Sequence, residues 1–121
     1  MLKFITENEY LKLLDAESIP DNFNKLAIEA SYIINKRYVV DINNISDEIK
    51  YVTCKIVELL NDSNIKKSEI GTLKSTNIEG WSETYKTDVE IDNELNKSIQ
   101  NVLDLYLTTT LKRTKGVILY E

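Results

Sequence analysis

The sequence predicts a mainly α-helical fold: a small bundle of about four helices, a short β-hairpin between helices three and four, and a C-terminal extended tail. Three observations carry that prediction. Apolar residues recur at three- and four-residue steps through most of the chain, which places them on one face of a helix. The stretch Leu73–Tyr85, LKSTNIEGWSETY, breaks this pattern with a Gly-punctuated alternation that ends in Trp81 and Tyr85. The chain closes on the apolar, β-prone run VILYE.

The elements follow in order. Thr6-Glu7-Asn8-Glu9 reads as a capping box, in which hydroxyl and carboxylate reciprocally satisfy the first free amides. It opens a short helix through about Asp15, with Tyr10, Leu13 and Leu14 available for burial. Pro20 and Asp21 start a second helix, Pro suiting the first turn and the acid suiting the dipole. Phe23, Leu26, Ala27, Ala30, Ile33, Ile34 and Arg37 form its core stripe, with Asn22, Lys25, Glu29 and Lys36 on the solvated face. Tyr38–Ile45 reads either as a short strand or as an extended connection.

Ser46, followed by Asp47 and Glu48, starts a third helix with the cleanest stripe in the chain: Ile49, Val52, Thr53, Ile56, Leu59 and Leu60. That helix is expected to stop near Asn61, leaving Asn61–Ser68 as a polar connector. The hairpin is expected at about residues 71–86, with Asn77–Gly80 as its turn. A lone hairpin is marginal in water, so Trp81 and Tyr85 need a second surface, from the helices or from another molecule. The acidic lead-in Thr87–Glu94 opens the last helix, lined by Leu95, Ile99, Val102, Leu103 and Tyr106. The β-branched Thr108, Thr109 and Thr110 weaken it, and Gly116 marks a break. The whole chain reads as one domain, with residues 1–111 as helical core and 112–121 as tail.

Composition narrows the function. The chain has 121 residues, is 42% hydrophobic and carries a net charge of −5. That charge disfavours sequence-independent binding to phosphates. With no histidine, the commonest general base and metal ligand is missing, and so is every triad that needs imidazole. Cys54, the single cysteine, has no His to activate it and sits among apolar helical positions, which marks it as a buried, inert thiol. It fits a reducing cytoplasm. No signal-peptide run opens the sequence, and no apolar window approaches a membrane span.

The candidate chemistry is thin. Asp88, Glu90, Asp92 and Glu94 resemble the start of a calcium loop, but Asn93 stands where its Gly is required and Ile99 where its bidentate Glu is required. The ladder reads instead as an acidic helix start. Gly71, Gly80 and Gly116 are too widely spaced for a phosphate loop. The three Asn-x-Ser sequons read as chance matches in an Asn-rich chain. Lys112, Arg113 and Lys115 form a basic group that reads as a solvated helix end or as a contact to phosphates or an acidic partner. No catalytic residue, cofactor or metal ligand is expected. Two unpaired strand elements on a helical scaffold point to an interaction protein.

The order of parts resembles the head–tail connector, or adaptor, proteins of long-tailed bacteriophages and related prophages. TENEYLKLL, FNKLAIEASYIINKRY and ISDEIKYVTCKIVELL match its first three helices, followed by the hairpin LKSTNIEGWSETY, a final helix and a short tail. Within the hairpin, Ser75, Ile78, Gly80, Ser82 and Tyr85 are similar to the family's Ser-x-x-Ile-Gly-x-x-Ser-x-x-Tyr pattern, with Glu79 intervening between Ile78 and Gly80. The resemblance implies a non-enzymatic structural protein of the virion neck, assembled in the host cytoplasm. It implies a ring of about a dozen copies beneath the portal protein, which extends the DNA channel and docks the next head-completion or tail component. Double-stranded DNA would pass without sequence-specific binding, and no membrane is involved. The tail, with Lys112, Arg113, Lys115, Val117, Ile118, Leu119 and Tyr120, would reach the portal. The hairpin residues Ser75, Ile78, Gly80, Trp81, Ser82 and Tyr85 would contact a subunit or partner. The alternative is a small regulatory helix-turn-helix-like DNA-binding module built on the second and third helices. That motif wants a turn of about three or four residues, whereas Tyr38–Ile45 is longer.

Overall fold

The structure, a computed structural model, describes residues 2–75, 88–107, 112–114 and 117–119. Four helices dominate: α1 (Glu7–Leu13), α2 (Phe23–Arg37), α3 (Asp47–Ser75) and α4 (Asp88–Tyr106). Two short strands follow, β1 (Lys112–Thr114) and β2 (Val117–Leu119). The fold is mainly α.

α1 begins with the expected capping box. The Glu9 N–H donates to Thr6 Oγ1 at 3.2 Å, and the Thr6 N–H donates to Glu9 Oε1 at 2.9 Å. Ile5 and Tyr10, on either side of this cap, are both buried, the placement of a hydrophobic staple. The helix closes through Asp15, whose φ of 50° lies in the left-handed region. The Ala16 N–H then donates to the Leu11 carbonyl at 3.0 Å, the six-to-one bond of a Schellman closure.

α2 starts at Phe23, later than Pro20 and Asp21 suggest. Its N-cap is Asn22, at φ 27° and ψ 29°, with no side-chain cap bond. Asn tolerates this backbone region because its short polar side chain relieves the usual clash. The stripe is otherwise as the spacing requires: Phe23, Leu26, Ala27, Ala30 and Ile34 are buried. Arg37 leaves the stripe and donates from Nη1 to Gln100 Oε1 at 3.3 Å. Between α2 and α3 the chain is a connection with one bridge residue, Tyr38, and a turn and bend at residues 42–44, and Tyr38 and Val40 are buried.

α3 departs most from expectation. The Ile49 N–H donates to Ser46 Oγ at 3.3 Å, so the start holds. The end does not: the helix runs through Asn61–Ser68 and on to Ser75. The expected connector at 61–68 is helical, and so are residues 71–75 of the expected hairpin. The physical reason is tertiary. Asn, Asp and Ser each cost at most about 0.7 kcal/mol in a helix interior, and α4 packs along this part of α3. Leu59, on the core side here, is partly buried, and Lys67 is paired with Asp92 at 2.5 Å. Residues 76–86 of the hairpin prediction lie outside the described residues.

α3 packs against α1, α2 and α4. α4 runs antiparallel to it. The Tyr51 and Tyr106 rings meet edge to face at 5.2 Å at one end, and the Lys67–Asp92 pair closes the other. One continuous core results, with Val52, Ile56, Val57, Ile34, Ile99 and Leu103 almost fully buried. Ala27 and Ala30 put small side chains in the interior, which permits close approach of helix axes. Phe4, Ile5 and Ile91 complete the core; none stands on a predicted stripe. Phe4 is fixed by a relay: its N–H donates to Ser31 Oγ at 2.9 Å, and Ser31 donates to the Ala27 carbonyl at 2.7 Å.

Candidate functional site

Two surfaces stand out from the core. The first lies where α4 ends. Ile99, Leu103 and Leu107 turn inward, whereas Leu105 is 69% exposed. Tyr106, expected on the core side, is 38% exposed and packs only edgewise on Tyr51. Just beyond, β1 and β2 pair antiparallel in the register Lys112–Leu119, Arg113–Ile118 and Thr114–Val117. β1 comes against α2. The segment read as an extended tail is thus described as a strand pair over six of its residues. Lys112 and Arg113 fall in β1, and Val117, Ile118 and Leu119 in β2. Lys115 and Tyr120 lie outside the described residues. Of the hairpin residues, Ser75 is the last residue of α3. Ile78, Gly80, Trp81, Ser82 and Tyr85 lie outside the described residues.

The second surface is a cleft of about 100 Å³ between the later half of α3 and the start of α4. Leu59, Ile91 and Leu95 form its apolar wall. Polar groups from both helices line the rest, among them Ser63, which is 5% exposed. The sequence reading missed this cleft because it ended α3 before Ser63.

The other candidates are placed as follows. Glu90 and Glu94 share a helical face of α4, while Asp92 points elsewhere, to Lys67. The acidic ladder is therefore spread round a helix. Among the described residues, no group of three or more His, Cys, Asp and Glu is placed to hold a metal ion. Cys54 is fully buried. Burial foremost, then the charge of Glu9, pushes its thiol up to about 12, far from the thiolate a nucleophile requires. Among the described residues, no helix is long and apolar enough to cross a membrane. No family model, curated protein or solved structure matches this chain.

Proposed function

We propose that the chain is a non-enzymatic structural adaptor of the phage neck. In this reading it forms a ring under the portal, extends the DNA channel and docks the next head-completion or tail component. The observation that carries the reading is the end of the molecule. A helix whose final turn exposes Leu105 leads into a two-stranded pair. A pair that small is marginal alone, and a short strand pair suits addition of a partner strand. Strands β1 and β2, with Lys115 and Tyr120, are assigned to the portal. Ser75, Ile78, Gly80, Trp81, Ser82 and Tyr85 are assigned to a subunit or partner contact. The net charge of −5 suits a channel through which DNA slides, since it repels phosphates.

The helix-turn-helix alternative gains nothing from the geometry. The connection between α2 and α3 spans residues 38–46, and α3 is 29 residues long.

Native mass spectrometry and negative-stain imaging, with and without a candidate portal protein, test the proposal. Rings, or a monomer that assembles only on the portal, are the expected result. A strict monomer indifferent to the portal would overturn it.

A further inference from the structure

Hydroxyls buried inside a helical bundle usually find a partner in their own helix. Among the described residues three are buried: Ser31, Thr53 and Ser63. Ser31 donates to the Ala27 carbonyl and Thr53 to the Ile49 carbonyl, each at 2.7 Å. This is the bond to the carbonyl four residues back that a helical hydroxyl can make. Ser63 makes no such bond, and its Oγ has no partner among the described residues. It is 5% exposed and lines the cleft between α3 and α4. A buried hydroxyl without a partner is costly, so a ligand group that pairs with it is favoured.

The rest of the lining defines that ligand. Leu59 from α3 and Ile91 and Leu95 from α4 supply an apolar wall, and Ser98 of α4 brings a second hydroxyl to the cleft. A hydroxyl both donates and accepts, so the pair suits a group that does the same, an alcohol or a primary amide. The charged lining residues favour neither sign. Asp62 and Lys66 lie one turn apart on α3 with opposite charges, and Glu94 is already engaged in an interaction of its own. An ion set against the apolar wall would lose its hydration and meet only a neutral hydroxyl at Ser63. An apolar cavity of about 150 Å³ takes a benzene ring, so a cleft of about 100 Å³ admits a body of three or four carbons. We propose that this cleft binds a small uncharged alcohol or amide. Its polar group pairs with the Ser63 hydroxyl, and its short carbon chain packs on Leu59, Ile91 and Leu95. The proposal does not depend on the adaptor reading.

Titrating the ¹⁵N-labelled full chain with 2-methylpropan-1-ol, and separately with 2-methylpropanamide, tests the site. The expected result is a saturable shift at millimolar concentration, confined to amides around residues 59–66 and 91–98. Probes on the same carbon skeleton then separate hydrogen bonding from shape and charge. The thiol, 2-methylpropane-1-thiol, keeps the shape and loses most of the hydrogen bonding, so it should bind about fivefold more weakly than the alcohol. Isobutylammonium and isobutyrate should bind more weakly than either. Ser63→Ala removes a hydroxyl that has no protein partner, so it should keep the wild-type circular dichroism spectrum while bringing alcohol and thiol to equal affinity. Shifts that never saturate, or an ion that binds as tightly as the alcohol, would overturn the proposal. So would an alcohol that binds the wild-type chain no better than the thiol, or a preference for the alcohol that survives in Ser63→Ala.

Discussion

Glu9 does two jobs with one carboxylate. It accepts from the Thr6 amide and receives Lys50 Nζ at 2.6 Å, tying α1 to α3. The hydrogen bond from Lys50 is the main reason its carboxyl sits below its ordinary value of 4.5, against the opposing effect of burial. A lowered folded-state value means stability that is present above 4.5 and lost as pH falls through the folded value. Both partners are about a third exposed, so the pair contributes no more than about 1 kcal/mol. Glu9→Gln keeps the capping acceptor and removes the charge. Urea unfolding should show it less stable by about 0.2–1 kcal/mol at pH 7, with the gap closing as pH falls below 4.5 through the lowered folded-state value. Glu9→Ala loses the cap acceptor too, and should cost about 0.5–1.5 kcal/mol more. Cys54 makes a second residue-scale prediction. With its thiol pushed up to about 12 and no exposed surface, labelling by a thiol reagent at pH 8 should be negligible in the native protein. It should become rapid in urea.

At the scale of elements, the length of α3 is the test case. The sequence places Gly71 at the mouth of a hairpin, whereas the structure places it inside a helix that ends at Ser75. Gly is about 0.8–1.0 kcal/mol worse than Ala in a helix interior. Gly71→Ala is therefore expected to raise the urea midpoint, by up to that amount. A lower midpoint would show that the chain leaves the helix before residue 71. The strand pair supplies the other test at this scale. Deleting Val117–Glu121 removes β2 and one side of the pair, but no residue of the helical core. The truncated chain should keep its helical circular dichroism and lose portal docking. Docking at wild-type affinity would refute the role assigned to this end.

For the whole molecule, what was legible in the sequence was what is local. The Thr6–Glu9 box is complete within four residues, and the stripes of α2 and early α3 repeat every turn, so both could be read directly. What was missed depends on distant partners. Asn61–Ser68 looks like a connector until α4 is laid against it. Phe4 and Ile5 precede any periodic run, yet Ser31, 27 residues on from Phe4, fixes that segment in place. Ser63 is indistinguishable in sequence from Ser31, and only its missing back-bond and its place in the cleft set it apart. The terminal run VILYE signalled an extended segment, but the pairing of residues 117–119 with residues 112–114 has no local signature. Truncation in the shared centre should be felt throughout: Ile56→Ala is expected to cost about 2–5 kcal/mol in chemical denaturation.

Because α1, α2 and α4 each pack on α3, withdrawing α3 takes a main packing partner from every other helix. Amide hydrogens on the middle of α3, around Val52–Leu60, should then exchange with deuterium only when the whole molecule opens. Their exchange free energy would equal the global unfolding free energy. Amides near Lys67, whose side chain pairs with Asp92 of α4, should exchange by smaller openings. A single helix would thus report two stabilities: the protein's own near its start, and that of the α3–α4 junction near its end.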